Sequence, residues 1–486
     1  MKKIFKSIFL LVISSALIFN FAVTNAEPPA KPPGENSSMG APGGETGSSS
    51  LTHKGATTIE ADTNESGKSY SSAEGSENAI LVSGGTSTLS DIAVTKSGDS
   101  DGDNSDFYGT NAAILAKGGT LNINGGNIIT NGSHANGVFA YSSGIINISD
   151  ANIKTSSNNS GAIMVTGGGT LTANNVTATT DGNSSAPIRS DRGGGTLTVN
   201  KGTYTANGVG SPAIYSTADI TVNSADLIST KSEGVVVEGK NSVTLNSVNL
   251  TDTNTSLNGN SETYKNIFLY QSMSGDAETG NSSFTANSSN ITTNKGDTIF
   301  VTNTKSTISL ESNKIVNNDK DSGFLRIQSG KWGNSGENGG EVTLNAKNQS
   351  MEGNVYVDNI SALEMHLSGG SSYLGAINGD NTAKTLSLSL DSSSKLTLTG
   401  DTYLTSLKNE VLDNSNINLN GHKLYVNGEA INATSYKDDT NTYAVQNETD
   451  NKNNHQLLII LIAAGVLVAA IILIIFILKK RKKYTA

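Results

Sequence analysis

The densest metal-ligating chemistry in the chain is the acidic stretch SGDSDGDNSDFYG at 97–109, which carries Asp99, Asp101, Asp103 and Asp106. A D-x-D-G-D spacing presents alternate carboxylates to a hard, oxygen-seeking cation such as calcium. The stretch departs from the EF-hand pattern, with Asn104 where the turn glycine belongs and Thr110 where the bidentate glutamate would stand. A solvated acidic loop therefore stands beside calcium as a reading. For acid–base work the best group is Arg189, Asp191 and Arg192, but no second carboxylate accompanies Asp191, and hydrolases and lyases need paired carboxylates or a cation cluster. The five histidines, at 53, 134, 366, 422 and 455, show no ligand spacing. Cysteine is absent, which removes disulfides, thiol nucleophiles and thiolate zinc together. No residue is assigned a catalytic role, and calcium is the one cofactor these residues suggest.

A second kind of chemistry is stacking. Leu81, Leu115, Phe139, Met164, Arg189, Tyr215, Val236, Phe268, Phe300, Leu325 and Tyr356 occupy equivalent places in eleven similar segments, and ten of the eleven are apolar or aromatic. Such a column suits sugar rings or an apolar protein surface. Two structural readings compete with it: like side chains stacked on a sheet stabilise one another, or the N-terminal linker lies across them.

These residues share a face only if their segments are strands in register. The segments begin NAILVSGG at 78, AAILAKGG at 112, NGVFAYSSG at 136 and GAIMVTGGG at 161, and recur at intervals of 21 to 34 residues, most often about 25, as far as NVYVDN at 354. A period in this range indicates a solenoid. Ile80, Ile114, Val138, Ile163, Ile188, Ile214, Val235, Ile267, Ile299, Phe324 and Val355 form one inward column, and the residues two further on form another. Arg326 interrupts the second. A following strand, as in TLTVN at 196, ends in Asn124, Ser149, Asn174, Asn200, Asn223, Asn246, Asn287, Glu311 and Asn345. Asparagine tolerates left-handed backbone and bonds to its like one rung away, so the column predicts an amide ladder at a turn. Residues 56–70 and 416–428 are expected to cap the stack, whose bare strand edges would otherwise invite aggregation.

Composition agrees with this architecture. Among 486 residues, 5% are aromatic and 16% charged, too few for helical faces or a bulky globular core, while glycine alone numbers 52. Residues 1–26 carry Lys2, Lys3 and Lys6 before an apolar run and small residues at its end, as a secretory signal does. Residues 27–50 hold five of the seven prolines and predict a linker; 430–456 predict a polar stalk. Residues 457–478 are uncharged and at ~1.5 Å per residue span about 33 Å, one bilayer crossing. The basic residues of 479–486 place that tail in the cytoplasm. Residues 27–478 then keep 25 basic against 43 acidic side chains, a net charge of about −18 that argues against nucleic acid as a partner.

The GGGTLT segments, the asparagine column and the closing LNGHKLYVNG resemble the right-handed parallel β-helix of pectin-lyase-like proteins found on bacterial surfaces, over residues 55–430. The resemblance implies an all-β, single-stranded right-handed parallel β-helix solenoid occupying residues 51–429. The sequence expectation is thus a membrane-anchored, single-pass extracellular protein that binds carbohydrate or protein on a neighbouring surface, in the manner of an adhesin. A polysaccharide lyase or hydrolase and a ligand-free surface spacer are the alternatives, because this fold hosts several functions.

Overall fold

The computed structural model describes residues 51–100, 102–259 and 261–432. The expected signal segment, linker, apolar run 457–478 and basic tail lie outside the described residues, as do Asp101 and the stalk beyond residue 432. Among the described residues the one helix is Asp103–Tyr108, and no helix is long and apolar enough to cross a membrane.

Short alternating segments bounded by glycine and polar turns form strands because one face of each has a buried partner in the turn above and below. The result is a parallel β-solenoid of about 15 turns, consistent with a right-handed β-helix. At ~4.8 Å per turn the stack rises about 70 Å. Each of twelve turns sends one strand to a 12-stranded parallel sheet, running from Gly55–Ile59 to Val355–Val357, and the remaining strands go mainly to a 20-stranded sheet. Inside, Ile80, Ile114, Val138, Ile163, Ile188 and Ile214 stand one above another, all buried. Burying each such side chain contributes on the order of 2 kcal/mol.

The asparagine ladder is present. Asn200, Asn223, Asn246 and Asn287 each donate from Nδ2 to the Oδ1 of the asparagine one turn before, all at 2.9 Å. The left-handed corner, however, falls one residue later, at Asn175, Lys201, Ser224, Ser247 and Ser288, with φ between 50° and 62°. The ladder residues end extended strands and the next residue turns the chain. Beyond Glu311 the column continues with Lys347, which pairs with that glutamate at 2.9 Å; Asn345 aligns with Ser309 instead. Asn223→Ala removes one amide bond donated and one accepted at a half-exposed site, so urea denaturation is expected to show a loss of about 1–2 kcal/mol. An unchanged midpoint would mean that water replaces the ladder at no cost.

Three expectations need correction. Residues 56–70 are no cap: Gly55–Ile59 pairs in parallel with Asn78–Val82, making a first full turn. At the other end Leu424–Val426 is still a parallel rung on Thr402–Leu404, and pairing turns antiparallel only against Glu429–Ala430. In the segment at 323–328 the register is shifted by one. Leu325 aligns with Ile299 and Val355 inside, so Arg326 faces outward in line with Phe300 and Tyr356 and interrupts nothing.

Candidate functional site

The outward column of the 12-stranded sheet is not one exposed stripe. Leu81, Leu115, Phe139 and Met164 are buried, packed with Ala112 beneath the insertion at 97–113. Phe107 of the helix Asp103–Tyr108 is buried as well, and its carbonyl accepts the Thr166 hydroxyl at 2.6 Å. Gly109, at φ 72°, lets the insertion lie flat: a Cβ there would sit 2.8 Å from Leu115 Cδ1 and 2.9 Å from the Phe139 ring. The longest repeat interval in the sequence thus supplies a cover for the rungs beside it, and these four residues face no solvent ligand.

That cover absorbs the acidic loop. Asp99 accepts the Ser133 backbone N–H at 2.7 Å, Asp103 is exposed in the first helical turn, and Asp106 faces His134 Nδ1 at 2.9 Å and Arg189 at 3.9 Å. The Asn159 amide lies 3.1 Å from His134 Nε2, which leaves Nδ1–H to donate to Asp106. Asp101 lies outside the described residues, and among the described residues no three His, Asp or Glu side chains are grouped to hold a metal ion. The basic–acidic group is a clamp. Arg189 bonds Asp191 at 2.9 Å, while Arg192 bonds Asp276 at 2.7 Å and lies 4.1 Å over the Phe107 ring, tying two insertions to the sheet. Burial pushes the Asp191 carboxyl up to about 6, against the pull of Arg189.

Further along the same face the column is left partly open. Tyr215, Val236, Phe268 and Phe300 align in four consecutive turns and floor a cleft of about 120 Å³. Its walls are two more insertions, one including Asn258 and residues 261–263, the other 328–332. Phe268 stacks on Tyr270 with centroids 4.5 Å apart, Phe300 leans on Phe268 at 5.7 Å, and Trp332, the chain's single tryptophan, tilts over Tyr270 at 5.3 Å. The floor rings are mostly buried; Tyr215 and Trp332 are half-buried and offer more. Stacked and tilted rings at these separations attract through their quadrupoles and keep one another in place.

Polar groups fix that arrangement. Buried Glu238 accepts hydroxyls from Tyr215, Tyr270 and Ser272, the Tyr270 bond measuring 2.8 Å. Burial, reinforced by the negative charge of Glu238, keeps both phenols far above their ordinary titration range, so they remain neutral donors. Lys265 is buried against Glu233 at 3.2 Å, bonds Ser261 Oγ and the Thr263 carbonyl, and lies 4.4 Å over the Phe268 ring. Asn338 Nδ2 donates to the carbonyls of Gly330 and Trp332 at 2.7 and 2.8 Å and so holds the wall that carries the tryptophan. Gly333 makes the turn just beyond it, at φ 80°, where a Cβ would meet the Asn303 amide at 2.3 Å.

Of the residues expected on a contact face, Tyr215, Phe268 and Phe300 come together here. Arg189 belongs to the clamp, and Tyr356 lies under Arg326, 4.2 Å from its guanidinium, which in turn bonds Asp297 at 2.6 Å. Trp332, Lys265, Glu233, Asn258 and Gln328 were not expected in the site. The signal that points to them is the pair of longer intervals before Ile267 and Val355, which hold the two walls.

No family model matches the chain, and neither a curated protein nor a solved structure matches it.

Proposed function

We propose that the chain is an extracellular β-solenoid, held to a membrane by residues 457–478, that binds carbohydrate in the cleft floored by Tyr215, Phe268 and Phe300. The observation that carries this reading is the convergence of five aromatic rings on one cleft walled by two insertions. Aromatic edges and faces take up the C–H face of a pyranose, while rim polar groups meet its hydroxyls. Binding is favoured over bond cleavage because each carboxylate at the cleft already has partners: Glu233 has Lys265, Glu262 has Lys331 at 3.6 Å, and Glu238 has three hydroxyls. Cleavage of a glycosidic bond needs a carboxylate free to give or take a proton.

The test is a glycan panel probed with the full-length chain and its Trp332→Ala variant. Trp332 is in a loop, so the fold is retained, and binding is expected to weaken by about tenfold or more, as for an interface aromatic. Shortened products would instead establish the enzyme reading, and a panel on which nothing binds would leave the spacer.

A further inference from the structure

Resting on the carbohydrate reading, we infer that the ligand of this cleft is an uncharged saccharide, read through its ring faces and hydroxyls rather than through carboxylate, sulfate or amine groups. An ammonium has three N–H donors. Those of Lys265 are directed at Ser261 Oγ, the Thr263 carbonyl and Glu233, which leaves none for an anionic sugar. The same ammonium sits over Phe268 at 4.4 Å and 5.6 Å from the Phe300 centroid. The ring face that would attract a cationic sugar is therefore already filled, and an incoming amine would meet a buried like charge. The other charged pair, Glu262 and Lys331, is exposed at the rim with 3.6 Å between its atoms and contributes little field to the interior.

Apart from that exposed rim pair, what remains unpartnered is neutral. Among the described residues the side-chain amides of Asn258 and Gln328, one on each wall, make no hydrogen bond to protein. Each amide offers two donors and an acceptor, the complement of adjacent sugar hydroxyls, and the two flank the aromatic floor. A floor of four turns, about 14 Å along the stack, accommodates a short stretch of sugar rather than an extended chain.

The experiment measures binding of the full-length chain to three probes, a neutral glucan, polygalacturonate and chitosan, at low and high salt, with Trp332→Ala and Gln328→Leu alongside. The expected result is binding of the neutral glucan, changed less than about twofold by salt and weakened about tenfold or more by either substitution. Preferential, Trp332-dependent binding of polygalacturonate or chitosan overturns the uncharged class and leaves the carbohydrate site standing. Binding that ignores Trp332, or no binding to any probe, overturns both.

Discussion

Lys265→Met is expected to lower the unfolding free energy of the chain by about 3–5 kcal/mol, and Lys265→Met combined with Glu233→Gln to recover most of that loss. Both members of the pair are withdrawn from water, Lys265 at 3% and Glu233 at 10% side-chain exposure, and they stand 3.2 Å apart. Their mutual attraction offsets the cost of removing two charges from solvent. Methionine keeps the packing over Phe268 and Phe300 but leaves the Glu233 carboxylate buried, with, among the described residues, only the Ser232 hydroxyl at 2.5 Å to solvate it. The uncompensated charge, not the lost contact, dominates the single variant, so neutralising Glu233 rescues it. Urea unfolding followed by circular dichroism at pH 7 measures both. Equal losses in the single and double variants would show that the lysine acts through packing alone.

The same pair shows where sequence and structure part company. The inward isoleucine column was legible because period two leaves no other face for it, and the ladder because asparagine recurs at the same offset in turn after turn. The misread register at 323–328 has a local cause: Phe324 and Leu325 are adjacent, both apolar and both buried, so alternation alone does not choose between them. The arginine assigned to the interior was itself the sign of the slip, since an unpaired guanidinium has no place there. The exposure of the outward column was not legible. Whether Phe139 or Phe268 meets solvent is decided by insertions that cross several turns, and the chain announces those insertions only as lengthened intervals. Lys265 was hidden for a related reason: Ser261 and Thr263 are its chain neighbours, but its counter-charge Glu233 lies in the preceding turn and only the finished stack brings the two together.

A second large effect is expected from Asp252, which closes a strand with its side chain turned into the solenoid interior. Its Oδ1 accepts the Asn254 backbone N–H at 3.0 Å, while its Oδ2 is buried without a hydrogen-bond partner. Burial, seconded by the nearby negative charge of Glu233, pushes this carboxyl up to about 9. In the unfolded chain it returns to about 3.9. Below that value both states hold the proton and Asp252 adds no pH dependence. Between the two values the folded state keeps the proton and the unfolded state releases it, so the unfolded chain binds fewer protons and stability falls as pH rises, by up to about 1.4 kcal/mol per unit. Above about 9 both states are ionised and the loss levels off. Asp252→Asn retains the acceptor for Asn254 and has nothing to ionise. Its stability relative to the natural chain should therefore climb steadily from pH 5 to pH 8 in urea titrations, the remaining carboxylates cancelling in the comparison. Parallel curves for the two proteins across that window would mean that Asp252 is charged in the fold and solvated by groups the structure does not place beside it.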